Sequence, residues 1–264
     1  MMIAILILIL LALAVRGRSG HKDLPALRKW KYAHRGLHDE KLPENSMAAF
    51  RAALEHGYGI ELDLHLLADG NLAVMHDSAL MRTTGAAGII EDLTTQELKN
   101  YRLNGTEETI PTFQQVLALF DGKAPLIIEL KPVKGNHAAL TAKAVEMMEG
   151  YKGLYCMESF DPRVVHWLRK HRPDICRGQL TENHFATSAK LSAVLKFALT
   201  HQLLNFITMP DFVAYKFADR RTPSNFIVRR LWGIQGVTWT LKTMDEYNTA
   251  VKEGWIPIFE DFKP

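Results

Sequence analysis

Alternation of short apolar runs with helical patterns constrains this chain more than any other feature of its sequence. The candidate strands are 31–34, 58–67, 71–76, 125–130, 154–160, 175–180, 204–209, 236–241 and 256–261. Helical periodicity falls between most of them, over 45–56, 112–120, 137–149, 162–171, 188–200, 211–219, 225–232 and 243–253. Strand–helix–strand repeated this often predicts a parallel sheet with helices outside it. Nine strands are one too many for an eightfold barrel. The surplus lies at YGIELDLHLL and NLAVMH, which are separated only by Ala68-Asp69-Gly70. Asp-Gly is a strong hairpin signal, so the run 71–76 folds back antiparallel on its predecessor. Eight strands remain, the count of a (β/α)8 TIM barrel.

The head of the chain differs. MMIAILILILLALAV is 15 residues without a charge, and RGRSGHK follows. As a helix it would be about 22 Å long, short of the ~30 Å hydrocarbon core of a bilayer. Three readings follow. An uncleaved single-pass membrane anchor over residues 1–22 fits best, with Arg16, Arg18 and Lys22 marking a cytoplasmic flank. A signal peptide, cleaved near Ala12-Leu13-Ala14 and leaving a secreted domain, lacks its basic n-region. The third reading is a buried helix of the main domain, which occupies about 29–264.

Charge balance is nearly even, with 32 Lys plus Arg against 29 Asp plus Glu, a net +3. That gives no electrostatic case for nucleic acid. Cys156 and Cys176 have no metal-ligand spacing and read as small core residues. No obligate protein partner is indicated.

Catalytic groups of such barrels sit at the C-terminal strand ends. There the sequence places His34 and Arg35 after the first strand, Glu61 and Asp63 in the second, and Glu129 and Lys131 at the end of the third. Residues two apart on a strand share a face. A two-residue Asp69-Gly70 loop pairs Ala68 with Asn71 and, counted along, Asp63 with His76. Carboxylates inside an apolar run are costly without partners. Converging from neighbouring strands, Glu61, Asp63 and Glu129 would repel one another. A hard divalent cation, Mg²⁺ or Ca²⁺, resolves the repulsion. Arg35 offers a phosphate a bidentate fork and Lys131 a point charge. His34 and His76 are suited to acid–base work near neutral pH. Together these groups point to attack on a phosphodiester.

The stretches AHRG, PENSMAAF, GYGIELDLHLLADGNLAVMHDSALMRTTG, IPTFQQVL, IIELK, ESFDP and GVTWT resemble the glycerophosphodiester phosphodiesterase family over roughly residues 30–264. The resemblance implies a TIM barrel with a small insertion, here about 71–111. It implies hydrolysis of small-molecule glycerophosphodiesters, such as glycerophosphocholine or glycerophosphoethanolamine, to glycerol 3-phosphate and an alcohol. His34 and His76 would carry the acid–base roles, and Glu61, Asp63 and Glu129 would hold one Mg²⁺ or Ca²⁺. Arg35 and Lys131 would contact phosphate, and Trp239 would line the substrate pocket. The family route is attack by the substrate's own glycerol hydroxyl, giving a cyclic phosphate that water opens. This chain departs from the family where the last strand commonly ends in Thr-Asp, since Glu260 precedes Asp261 here. Two rivals stand beside this reading. One is a phospholipase D-type lyase that stops at the cyclic phosphate, the other a non-catalytic barrel that binds a phosphorylated headgroup.

Other residues have blander alternatives. His34-Arg35 alone could be a surface strand end. Glu44 is expected to hold Arg35 by an ion pair, and Asn45 or Ser46 to cap the next helix. Asp77 reads as a turn partner of His76. His65 reads as a packed or hydrogen-bonded histidine, and His38 as a solvated loop residue. Phe160 and Asp161 are placed on the barrel rim.

Overall fold

The computed structural model describes residues 2–187 and 190–264. Its strands are β1 (Tyr32–His34), β2 (Gly59–Leu66), β3 (Leu72–Val74), β4 (Leu126–Leu130), β5 (Tyr155–Ser159), β6 (Arg177–Thr181), β7 (Phe212–Lys216), β8 (Gln235–Leu241) and β9 (Trp255–Phe259). Eight are parallel and close on themselves in the order β1-β9-β8-β7-β6-β5-β4-β2, with β1 paired to β2. The (β/α)8 barrel read from the sequence is therefore the fold. β3 is the surplus strand, antiparallel on β2 beyond the point where β1 ends.

The helices are α1 (Met2–Ala14), α2 (Leu24–Leu27), α3 (Met47–Glu55), α4 (Met81–Thr84), α5 (Phe113–Phe120), α6 (His137–Met147), α7 (Pro162–His171), α8 (Ala193–Thr200), α9 (Asn205–Thr208), α10 (Pro223–Phe226) and α11 (Met244–Lys252). Their starts are set by local chemistry. Ser46, Thr112, Asp161, Ser192, Thr222 and Thr243 each accept a backbone N–H at the first turn of α3, α5, α7, α8, α10 and α11. The first two residues of the helix read over 188–200 lie outside the described residues.

Two expectations are corrected here. The run 204–209, read as a strand, contains helix α9, and 211–219, read as a helix, contains strand β7. Apolar runs of this length carry no periodicity that separates the two states. Tertiary context decides: β7 is buried along Phe212–Tyr215 because it is covered on both faces. The hairpin loop has three residues, Ala68-Asp69-Gly70, not two, with Leu67 and Asn71 as the closing pair. Gly70 supplies the left-handed position (φ 81°) that a three-residue loop requires. Every β2–β3 pair is consequently shifted by one residue. Met75, not His76, lies opposite Asp63 and donates its N–H to the Asp63 carbonyl at 3.1 Å.

One apolar layer lies between the sheet and the outer helices, with Phe50, Ile60, Leu62, Phe113, Ile128 and Met157 among its members. A second fills the lower barrel interior, where Leu24 and Leu27 of α2 plug the opening against Tyr32, Ile127, Phe212 and Ile256. Close packing there uses Gly178, where a Cβ would come within 2.1 Å of the Phe212 ring. Cys156 and Cys176 are free and buried in this interior, as expected. Between β2 and α5, Leu67, Leu80, Ile90, Leu98 and Ile110 form a small separate cluster.

The segment after α1 is bound to the N-terminal end of the barrel. Arg18 pairs with Asp211 and donates to the Pro173 carbonyl at 2.8 Å, so it is not a free flanking cation. Arg16 lies over the Trp232 ring at 5.3 Å, and Trp232 donates to the Ala12 carbonyl at 2.7 Å. α1 is 13 residues long, about 20 Å. Its side chains from Ile5 to Leu11 are exposed apolar groups. Among the described residues no helix is long and apolar enough to cross a membrane.

Candidate active site

At the opposite end of the barrel, the C-terminal ends of the strands enclose a cavity of about 400 Å³. His34, Arg35, Glu61, His76, Glu129, Lys131 and Trp239, all expected at the site, line it. Parallel pairing accounts for the convergence. His34 is the register partner of Glu61 across β1–β2, and Asp63 is the partner of Glu129 across β2–β4. Oxygen atoms of Glu61, Asp63 and Glu129 all lie within 4.8 Å of one another, and all three residues are buried.

Three buried carboxyls this close do not ionise alike. Burial pushes Glu61 well above the usual carboxyl range, and the charges of Asp63 and Glu129 add to the shift. Burial also raises Glu129, to about 7, against the pull of Lys131. Asp63 goes the other way. Burial would raise it, but Lys131, His76 and Arg35, with a hydrogen bond from Asn45, hold it well below its usual range. Lys131 Nζ sits 3.1 Å from Asp63 Oδ1 and 2.8 Å from Glu129 Oε1. These are ion-pair contacts without a well-directed hydrogen bond, so lone pairs on both oxygens stay free. A hard divalent cation fits such a set: all-oxygen donors, buried, mutually repelling and incompletely satisfied.

The histidines are held alike. His34 donates Nδ1–H to Glu260, and its Nε2 is 3.9 Å from Glu61 Oε2. His76 donates Nδ1–H to Asp77 Oδ1 at 2.6 Å. A carboxylate on Nδ1 fixes the tautomer and leaves the Nε2 lone pair toward the cavity. Burial lowers the affinity of both rings for a proton. His34 is lowered against the opposing pull of Glu260, and His76 is lowered to about 4, with Asp63 opposing.

Arg35 occupies the left-handed region (φ 53°) at the end of β1, where its backbone N–H reaches Glu61 Oε2 at 3.2 Å. Strained backbone of this kind persists only where its surroundings hold it. Glu44 supplies part of the hold, accepting from Arg35 Nη1 at 2.9 Å as expected. It also accepts from Arg82 at 2.7 and 2.8 Å, and Arg82 donates to Asp77 at 2.5 Å. A continuous chain of ion pairs and hydrogen bonds therefore runs Arg35–Glu44–Arg82–Asp77–His76.

Several partners were not assigned from sequence. Ser46 is the helix cap, while Asn45, buried and left-handed (φ 53°), donates to Asp63 Oδ2 at 2.8 Å. Glu260, noted only as a departure from family pattern, is the partner of His34. His38 points its Nε2 toward that same carboxylate at 3.7 Å. Arg82 and Glu158 carried no signal beyond their residue type. Asp77 is more than a turn residue, since it buttresses His76. Phe160 lines the cavity edge-on to Trp239, ring centroids 5.6 Å apart, whereas Asp161 caps α7. His65 is a buried, hydrogen-bonded histidine, held by Glu91 at 2.5 Å and by the His76 carbonyl at 3.2 Å.

Comparison with known proteins agrees with this architecture. A Glycerophosphodiester phosphodiesterase from Bacillus altitudinis is 39% identical over 131 residues, 46% of this chain and 53% of that protein. One from Caldanaerobacter subterraneus is 35% identical over 141 residues, 50% of this chain and 55% of that one. The chain thus spans about half the length of these two relatives. Glycerophosphodiester phosphodiesterase 1 from Bos taurus is 30% identical over 245 residues, covering 81% of this chain and 72% of the relative. Among solved structures, an Oleispira antarctica phosphodiesterase in complex with the product sn-glycerol-3-phosphate superposes with a TM-score of 0.73. It is 24% identical, with 92% of this chain and 96% of that one covered, a likeness of fold. The family model for the Glycerophosphoryl diester phosphodiesterase family matches residues 34–263, almost everything after α2, and the chain belongs to that family.

Proposed function

We propose that this protein hydrolyses glycerophosphodiesters, such as glycerophosphocholine or glycerophosphoethanolamine, to glycerol 3-phosphate and an alcohol, as part of phospholipid turnover. The observation that carries the reading is the placement of two carboxylate-backed imidazoles beside a buried carboxylate trio in one cavity. Binding alone needs no pair of proton-transfer groups.

Glu61, Asp63 and Glu129 would hold one divalent cation, Mg²⁺ or Ca²⁺, which when bound supplies Lewis-acid polarisation of the substrate's oxygens. The protein's own groups do the rest. Arg35, braced by Glu44, presents its remaining N–H groups to the phosphate, and Lys131 adds a positive charge. One imidazole takes the proton of the substrate's glycerol hydroxyl as its oxygen bonds to phosphorus. The other, entering the step protonated on both nitrogens, gives its Nε2 proton to the departing alcohol as its P–O bond breaks. Water then opens the resulting cyclic phosphate, with the two proton transfers reversed. Glu260 and Asp77 stabilise whichever ring becomes charged. Trp239 and Phe160 form the apolar wall.

The deciding assay is release of free glycerol 3-phosphate from glycerophosphocholine by the full chain, with EDTA, Mg²⁺ and Ca²⁺ in parallel. Metal-dependent release supports hydrolysis. Accumulation of a cyclic phosphate alone would favour the lyase reading. Silence in every arm, with a phosphorylated headgroup still bound, would favour a binding barrel.

We further propose that α1 attaches the domain to a lipid surface, with the barrel on the cytoplasmic side. Its exposed apolar side chains support this, as do Arg16 and Trp232 at its base, residue types suited to the headgroup layer. At about 20 Å the helix reaches through one leaflet and not the ~30 Å core. Flotation with anionic vesicles, lost in Ile7→Asp, tests attachment; recovery of a shortened chain outside the cell would instead identify a cleaved signal.

A further inference from the structure

Two acids of the cavity have no part in the reaction above: Glu182, which is paired with Lys216 at 3.2 Å, and Glu158. Glu158 lies on β5, directly across from Glu129 on β4, and lines the same cavity. It is completely buried, and neither carboxyl oxygen has a hydrogen-bond partner. Buried polar atoms without partners are rare, and each is expected to meet a ligand or solvent. Neighbouring acids are accounted for. Lys131 is divided between Asp63 and Glu129, and the set of oxygens within 4.8 Å of one another comprises Glu61, Asp63 and Glu129 without Glu158.

Position round the barrel says what kind of group Glu158 meets. His34 and Arg35 follow β1, whereas Glu158 stands three strands away, past β2 and β4. Arg35 and Lys131 draw a phosphate to their side of the cavity, the side away from the apolar wall. Beyond Glu158 the wall is Phe160, Leu180 and Trp239, with Glu182, its charge paired to Lys216, among them. The part of a glycerophosphodiester that suits a buried acceptor beside an apolar wall is neutral, short and hydroxylated.

We propose that Glu158 accepts a hydrogen bond from a hydroxyl of the substrate's glycerol end, and so selects glycerol esters over phosphate esters that lack hydroxyls. This rests on the proposed function and names a specificity residue within it. Losing one partner of a buried hydrogen bond costs about 1–3 kcal/mol, roughly 5- to 150-fold in affinity. A site built to bond a hydroxyl penalises the analogue without it for the same reason.

The test is calorimetric binding of glycerol 3-phosphate and of n-propyl phosphate to the full chain at saturating Mg²⁺ or Ca²⁺, in wild type, Glu158→Gln and Glu158→Leu. The metal titration of each variant is run alongside, and it also reports that the site has folded. We expect wild type to prefer glycerol 3-phosphate and Glu158→Leu to lose about tenfold or more of that preference. Propyl phosphate and metal affinities should hold, and Glu158→Gln should keep most of the preference. Unchanged glycerol 3-phosphate affinity in Glu158→Leu overturns the proposal, as does weakened metal binding in both variants, which would make Glu158 a cation ligand. A wild type that turns over glycerophosphocholine while Glu158→Leu is unaltered sinks this inference alone. A wild type that neither binds glycerol 3-phosphate nor releases it sinks the proposed function as well.

Discussion

Glu260, immediately beyond the last barrel strand, accepts the Nδ1–H of His34, at the end of the first. Barrel closure through the β1–β9 pairing brings together residues 226 apart in sequence. His34 therefore has the same support that His76 receives from its chain neighbour Asp77, assembled from opposite ends of the chain. Glu260 opposes the burial that lowers His34's proton affinity. Replacing it with a neutral amide should lower that affinity further and misorient the ring. Glu260→Gln is expected to reduce kcat on the order of tenfold. Its His34 titration, followed by NMR, should move to lower pH, and an unmoved titration would show that Glu260 acts elsewhere.

Removing either imidazole should be more damaging. His34→Ala and His76→Ala are each expected to lower kcat at least ~10²-fold, the usual worth of a positioned acid or base. Metal affinity should persist, because neither ring belongs to the carboxylate trio. Near-native turnover by either variant would refute its assignment.

Metal affinity should depend on pH with a definite sign. Glu129 holds its proton up to about pH 7, and Glu61 is also raised well above its usual range. A cation must displace those protons. Affinity for Mg²⁺ or Ca²⁺ should rise between pH 5.5 and 8, with proton release that shrinks as pH increases. Calorimetry in buffers of different ionisation enthalpy measures both. Glu61→Gln and Glu129→Gln should weaken binding, and unchanged titrations would remove them from the ligand set.

The brace on Arg35 can be tested separately. Glu44→Gln removes a charge from the link between Arg35 and Arg82. We expect KM for glycerophosphocholine to rise about tenfold, the scale of one charge-assisted hydrogen bond, with a smaller change in kcat. A fall in kcat at constant KM would place Glu44 in the chemical step.

In the barrel interior, Gly178→Ala would drive a Cβ into the fully buried Phe212 ring. Overpacking of this kind costs about 1–3 kcal/mol. Denaturant unfolding should show that loss. Gly70→Ala tests the hairpin instead, since its φ of 81° strains any residue with a Cβ although nothing crowds it. Its expected cost is about 1 kcal/mol.

Much of this molecule is written locally in its sequence. Eight barrel strands can be counted because a parallel sheet buried on both faces needs short apolar runs separated by helical lengths. Glu61, Asp63 and Glu129 announce themselves as costly carboxylates inside such runs. Helix starts at Ser46, Thr112 and Asp161 need only a side-chain oxygen next to the first turn. What tertiary structure decided is of another kind. Whether Asn205–Thr208 or Phe212–Lys216 becomes the strand depends on which run the barrel covers on both faces, since six apolar residues have no period of their own. The hairpin register turned on a single loop residue, and a slip of one exchanges His76 for Met75 opposite Asp63. Glu260 beside His34, Asn45 on Asp63 and the unpartnered Glu158 beside Glu129 are products of ring closure and strand register. Their meaning is relational: a carboxyl group acquires its role from what folding brings within three ångströms of it, and one-dimensional spacing does not carry that distance.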